Sequence, residues 1–318
     1  MRNYGFEAEV RANIINKGGF TWDMNANISS VANKIISLPY NGVDKNRVGG
    51  YEVAAGKVGA DGKFPTKWIA GRQEGGKLGE LVAYKQQHIF KDWDDVKQHA
   101  NMRIDEVANL YGPGLADQIN PLTNKPYKES TGWQPIEPGD VCWEDMNGDD
   151  VINGYDRYVV GNIFPNITGG FSTTFGYKGI SLYARFDYAL GHTLYNDLAA
   201  RSLGQYQGSF NVIDKVKDTW SEANPNSDLP KFYYADQLSK KNITRSNDSN
   251  TAADSNSSRF YEKGDYLALR EITLSYQLPK SLISKVHMTD ASVYVTGQNL
   301  FYICLLYTSP SPRDKRQS

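Results

Sequence analysis

Gly5-Phe6-Glu7-Ala8-Glu9-Val10-Arg11-Ala12-Asn13-Ile14-Ile15 alternates apolar and polar residues with period two. Phe6, Ala8, Val10, Ala12 and Ile14 fall on one face, and Glu7, Glu9, Arg11 and Asn13 on the other. Alternation of this length predicts a strand with one apolar face. Asn16-Lys17-Gly18-Gly19 is a turn signal. Residues 20–29 repeat the pattern, with Phe20, Trp22, Met24, Ala26 and Ile28 against Thr21, Asp23, Asn25, Asn27 and Ser29, so the two strands make a hairpin. The unit recurs at Ile167–Tyr177 and Ile180–Leu190 around Lys178-Gly179, and again at Ile272–Leu278 with Val293 and Val295. Strands are therefore expected at 4–16, 19–33, 166–178, 180–192, 266–278 and 290–303, in one antiparallel, curved, open sheet.

The connections are as informative as the strands. Tight turns join the first to the second and the third to the fourth, whereas residues 34–165 and 193–265 separate the pairs. Soluble sandwiches place turn signals every 8–12 residues or so. Outer-membrane barrels have short turns on one side and long loops on the other. The expected fold class is all-β, an antiparallel fragment of a large outer-membrane β-barrel with long extracellular loops carrying short helices. Glu7, Glu9, Arg11, Asp23, Arg185, Asp187 and Glu271 would then face a wet lumen while the apolar faces meet lipid. Within the loops, Lys91-Asp92-Trp93-Asp94-Asp95-Val96 predicts an N-capped helix. Val212, Val216 and Trp220 predict a short amphipathic one, stopped by Pro225 and Pro230. Residues 239–258, rich in Ser, Asn, Thr and Asp, read as a mobile loop tip.

Composition excludes several classes. The chain has 318 residues, with 35 basic against 36 acidic, a net charge of −1. It has no basic stripe that would mark nucleic acid as a partner. Cys142 and Cys304 make no disulfide framework, and two cysteines at that distance predict no metal cluster. His88, His99, His192 and His287 include no H-x-x-x-H pair, which argues against a zincin. No apolar run is long enough for a transmembrane helix, a criterion silent on barrels. The 21 Tyr, 12 Phe and 6 Trp beside 29 Gly suit strands, turns and aromatic girdles. Met1 leads directly into a strand with no signal peptide, so the expectation is either a cytoplasmic protein or a missing true N-terminus. Residues 304–318 resemble translated sequencing-adapter sequence and are expected to be a non-native tail rather than a disordered native one.

Several segments, taken in order, resemble one family. They are Pro138-Gly139-Asp140-Val141-Cys142-Trp143-Glu144-Asp145-Met146-Asn147-Gly148-Asp149, Asp156-Arg157-Tyr158-Val159-Val160-Gly161-Asn162 and Trp220-Ser221-Glu222-Ala223-Asn224-Pro225-Asn226. The strongest are Arg259 through Lys280, with Gly264-Asp265-Tyr266 and Leu278-Pro279, and Tyr294-Val295-Thr296-Gly297-Gln298-Asn299-Leu300. Together they resemble SusC/RagA-type TonB-dependent outer-membrane transporters over residues 3 to about 303. The resemblance implies that 1–303 is the C-terminal part of a plugged barrel of the roughly 22-stranded class, with plug, earlier strands and last strand absent. It also implies the outer membrane of a Gram-negative bacterium, with the signal peptide missing from this stretch. Its implied partners are a SusD-like surface lipoprotein, a TonB complex acting through the missing N-terminal region, outer-membrane lipid, and oligosaccharide or peptide cargo.

One loop has metal-ligand spacing. Counting from Asp145, an EF-hand pattern puts ligands at Asp145, Asn147, Asp149, the Val151 carbonyl and Asp156, with Ile152 at the apolar eighth position. Asp150 stands where Gly is usual, and Asp156 is shorter than the usual bidentate Glu. The competing reading of these Ca²⁺ candidates is a polar turn satisfied by its own backbone. Glu7/Glu9 and Asp94/Asp95 read as solvated charge rather than an acid–base pair. Trp68, Trp93, Trp133, Tyr206, Tyr233 and Tyr234 are loop aromatics that either stack on cargo or pack the loops. Gly71–Lys77 lacks P-loop spacing and reads as a turn. No catalytic residue and no required cofactor is expected. The leading reading is a transporter, not an enzyme; the alternative is a secreted, calcium-braced carbohydrate-binding or carbohydrate-active β-protein. The two differ in whether the apolar strand faces are exposed or buried between sheets.

Overall fold

The computed structural model describes residues 1–105, 109–203, 213–232 and 257–304. Its architecture rests on β1 (Arg2–Lys17), β2 (Phe20–Lys34), β3 (Gln86–Ile89), α1 (Trp93–Gln98), β4 (Val141–Trp143), β5 (Ile167–Tyr177), β6 (Ile180–Leu190), β7 (Tyr266–Gln277) and β8 (Ser292–Cys304). The order β1-β2-β5-β6-β7-β8 forms one six-stranded sheet, antiparallel at every joint. All six strands expected from alternation are present, within two residues of the expected bounds. The chain divides into two compact units: the sheet, from Met1–Ile36, Asn162–Leu194 and Lys263 onward, and a loop unit, from Ser37–Gly161 and Tyr195–Glu262.

Turn chemistry explains the two tight hairpins. Gly18 and Gly19 have φ of 63° and 79°, and Lys178 and Gly179 have φ of 46° and 88°. Two successive left-handed residues twist in the sense that flanking strands require, and glycine adopts that conformation without strain.

The register sorts the sheet into two chemically opposite faces. On one, Arg11, Asn25, Ser172, Arg185, Glu271 and Gln298 run side by side across the strands. The face is cross-linked by Asn13 to Asp23 (2.7 Å), Asn25 to Glu9 (3.2 Å) and Arg11 to Glu9 (2.8 Å). Arg270 bonds Asp187, Asn299 and Tyr302. On the other face, Ile15, Trp22, Phe175, Leu182, Leu274 and Val295 align. Next to them, Phe20, Tyr177, Ile180, Tyr276 and Val293 line the edge nearest the tight turns. Val295, Val293 and Leu274 are 73%, 61% and 53% exposed.

Two bulges interrupt the alternation. The β1–β2 register shifts between Asn13 and Ile15, so Ile14 is the extra residue and Ile15 takes its expected place opposite Trp22. A second shift sits between Leu269 and Glu271, at Arg270. A bulge adds one residue to one strand and re-aims its side chain, which a strict period-two reading misses.

The loop unit is built differently. Its main core gathers Tyr84, Phe90, Val96, Ile104, Leu110, Ile136, Trp143 and Ile152 from segments far apart in sequence. Tyr84 meets Trp143 edge to face, with centroids 6.2 Å apart. The expected helix is α1, with Asp92 as its N-cap accepting from the Asp94 and Asp95 amides. The helix expected around Val212, Val216 and Trp220 is not formed. The described part is a 3₁₀ turn at Asp214–Asp218, and Trp220 lies beyond it. Val216 and Trp220 pack against two different clusters, so tertiary packing overrides the helical spacing. Val212, Tyr206, Tyr233, Tyr234, residues 239–256 and residues 305–318 lie outside the described residues. Gly71–Lys77 turns as expected, with the Gly76 amide bonded to the Gln73 carbonyl. No helix among the described residues is long and apolar enough to cross a membrane, which says nothing about crossing by strands.

Candidate functional site

The segment Asp145–Asp156 folds into a tight polar loop. Asp145 Oδ1 accepts from the amides of Asn147 (3.2 Å) and Gly148 (2.6 Å), and its Oδ2 from that of Asp150 (2.8 Å). Asn147 accepts from the Asp149 amide, and Asp149 from the Val151 amide at 2.9 Å. Asp156 closes the loop, accepting from Met146 (2.9 Å) and Asn153 (2.8 Å). The bonds accepted by Asp145 Oδ1, Asn147 and Asp149 are Asx turns, in which a short polar side chain reaches the backbone two or three residues on. Asp150, at the position where Gly is usual, has φ of 62°, the left-handed conformation that the pattern demands there. Ile152 is fully buried in the main core, as the eighth position of the pattern requires.

The electrostatics of the loop are unbalanced. Asp156 and Asn147 are both fully buried. Burial pushes the Asp156 carboxyl up to about 7, against two backbone hydrogen bonds that pull it down, and the Asp145 and Asp149 charges push further. Among the described residues, Lys57 Nζ donates to the Asp145 carbonyl at 3.2 Å. The five ligand positions read from spacing thus lie on one closed loop. Backbone amides donate to both oxygens of Asp145 and Asp156 and to Asp149 Oδ1, and the Asn147 side-chain amide donates to Asp149 Oδ2 at 3.1 Å.

A second cluster was not legible in the spacing. His88 and Cys142 are direct cross-strand partners on β3 and β4, and His99 caps the C-terminal end of α1. One ring nitrogen of each histidine and the Cys142 sulfur all lie within 4.8 Å of one another. Sequence distance had argued against any such grouping; the β3–β4 ladder and the helix remove that distance. Burial pushes the Cys142 thiol up to about 12.

The loop aromatics divide by environment. Trp133 is buried against Tyr127, with centroids 5.1 Å apart, and is packing. Trp68 is covered by the Arg47 guanidinium, 3.8 Å from its ring. Trp93 is 53% exposed and lines an open cavity of about 800 Å³ with Lys91, Glu137, Trp220 and Lys231. Trp220 is fixed there by its indole donating to the Lys91 carbonyl at 3.1 Å.

No protein-family model matches the chain. Among curated proteins, TonB-dependent receptor P3 of Formosa agariphila is 24% identical over 300 residues, covering 94% of this chain and 24% of that protein. TonB-dependent receptor P26 of the same organism is 30% identical over 166 residues, 52% of this chain and 15% of that protein. The structure of the RagAB peptide transporter matches with a TM-score of 0.58 at 17% identity, covering 95% of this chain and 25% of that one. The RagAB peptide importer in its open-open state matches at 0.56 and 19% identity.

The chain is similar to TonB-dependent receptors.

It spans about a quarter of the length of the receptor P3 that it matches. Its six strands carry the outer-membrane transporter fold, as the alternation and the long loops predicted. The strongest receptor-like segments coincide with β7 and β8, where Glu271 faces Gln298 across the ladder. The relatives are named as receptors and importers rather than as enzymes.

Proposed function

We propose that the chain is part of an outer-membrane importer of oligosaccharide or peptide, energised by a TonB complex and lidded by a SusD-like lipoprotein. The observation that carries this reading is the inverted sheet. Its charged and amide side chains are cross-linked on one face, while Val10, Leu274, Val293 and Val295 stand exposed on the other. In water, a continuous exposed apolar face of this kind is a liability. In a bilayer it is the outward band of a barrel, and Phe20, Trp22, Tyr177 and Tyr276 supply aromatics at its turn edge. A secreted sandwich would instead bury these residues against a second sheet. The polar face then borders the lumen, and the insertions at 34–165 and 193–265 are large enough to seat the lid. The Asp145–Asp156 loop is proposed as a calcium brace for the first insertion, with Asp145, Asn147, Asp149, the Val151 carbonyl and Asp156 as ligands.

The test is uptake of labelled oligosaccharide and peptide pools by cells carrying the complete protein, with and without a working TonB complex. TonB-independent uptake overturns the energy source. Recovery of the lipoprotein with each insertion deleted in turn tests the lid. Undiminished recovery without either insertion shows that the lid docks elsewhere.

A further inference from the structure

We propose that His88, His99 and Cys142 bind a borderline-soft divalent cation of the zinc type, fastening the β3–β4 pair to the end of α1. The site is separate from the Asp145–Asp156 loop and independent of the transport reading.

The donor set points to the metal. Two imidazoles and a thiolate suit zinc and its transition-metal neighbours, whereas calcium and magnesium take oxygen. The geometry is close to closed. Cys142 Sγ lies 4.0 Å from His99 Nε2, and all three ligand atoms fall within 4.8 Å of one another. With Zn–N near 2.0–2.1 Å and Zn–S near 2.3 Å, tetrahedral neighbours sit about 3.5 Å apart. Contraction by about 1 Å brings the three protein ligands to bonding range and leaves the fourth tetrahedral position to water; His88 and His99 are both partly exposed, which gives cation and water an approach.

The surroundings orient the ligands. His88 Nε2 lies 3.3 Å and 3.2 Å from the two oxygens of Asp95, which also accepts the Lys91 amide at 3.0 Å. A carboxylate behind a ligating imidazole fixes its tautomer and raises its basicity. With Nε2–H donating to Asp95, the lone pair of neutral His88 is on Nδ1. Phe90 lies edge-on to both imidazoles, its centroid 5.6 Å from His88 and 5.5 Å from His99. Binding replaces the thiol proton with the cation: the S–H bond breaks, a metal–thiolate bond forms and the proton leaves to solvent. No oxidation is involved.

The competing account is a neutral aromatic–thiol packing cluster, and spectroscopy separates the two. The complete protein, stripped by chelator in detergent, is titrated with Co²⁺ and then Zn²⁺. A thiolate-to-cobalt charge-transfer band that saturates at a single equivalent and is bleached by Zn²⁺ is the expected result. Cys142→Ser abolishes it. Asp95→Asn keeps the band at saturation and weakens affinity roughly 10–100-fold. His99→Gln, at a partly exposed position, provides a second loss should Cys142→Ser fail to fold. No band in the parent protein at saturating Co²⁺, or an undiminished band in folded Cys142→Ser, overturns the proposal.

Discussion

The sheet and the loop unit bury their apolar residues by opposite rules. In the loop unit, Trp143, Tyr84, Phe90 and Leu110 are almost wholly enclosed, as in any water-soluble core. In the sheet, residues of the same chemistry, such as Leu274, Val293 and Val295, stand outward. Hydrophobic burial drives the first in water. The second gains nothing from water and is satisfied only by an apolar solvent, while its backbone polar groups pair along the ladders everywhere but at the outer edges of β1 and β8. One chain thus contains two regions designed for two solvents, and substitutions should separate them.

The largest effect is expected in the loop unit. Trp143→Ala removes a fully buried indole and should cost about 3–5 kcal/mol. Limited proteolysis should then cut within 37–161 while the strands stay protected; simultaneous loss of both would show one cooperative unit. On the sheet, Leu274→Arg, in the row of Trp22 toward the turn edge, should cost measurably but less than the about 2–4 kcal/mol of a midplane position. Ser275→Arg, one residue on and on the polar face, should fall within error. Denaturant unfolding in vesicles checks the pair, and equal costs would break the assignment of faces. For the calcium brace, Ca²⁺ at about a hundred times its Kd should add about 2.7 kcal/mol. Asp145→Ala and Asp149→Ala should each lose that increment, read as a shift in Tm. The smallest effect is at α1, where Asp92→Ala removes the N-cap and should cost about 1 kcal/mol, with no change in the sheet's denaturation midpoint.

The sheet was legible in the sequence because period two is a local signal. Ala8, Val10 and Ala12 declare their face without reference to distant residues. Ile14 and Arg270 were missed because a bulge leaves no mark on composition: two adjacent isoleucines serve either register. The loop core was illegible for a different reason. Its strands are two to six residues long, too short for periodicity, and Tyr84, Leu110 and Trp143 meet only through the tertiary fold. Val216 and Trp220 had helical spacing but joined separate clusters. The Asp145–Asp156 turn was readable since its polar residues lie within one short stretch of sequence. The His88–His99–Cys142 grouping was not, because a strand pairing and a helix end bring its members together.

The placement of the insertions has a kinetic consequence. The β1–β2 and β5–β6 hairpins close over two residues each, and β7–β8 over residues 278–291. The β2–β5 and β6–β7 joints instead span residues 35–166 and 191–265. Ring closure costs about 0.6 kcal/mol more for each doubling of length, and pairings distant in sequence form slowly. Three ribbons should therefore zip early, with the two distant seams joining last. Until those seams close, the outer strands of each ribbon remain open templates for a neighbouring chain. The step at which assembly is vulnerable is thus set by where the insertions enter the sheet, whatever they bind.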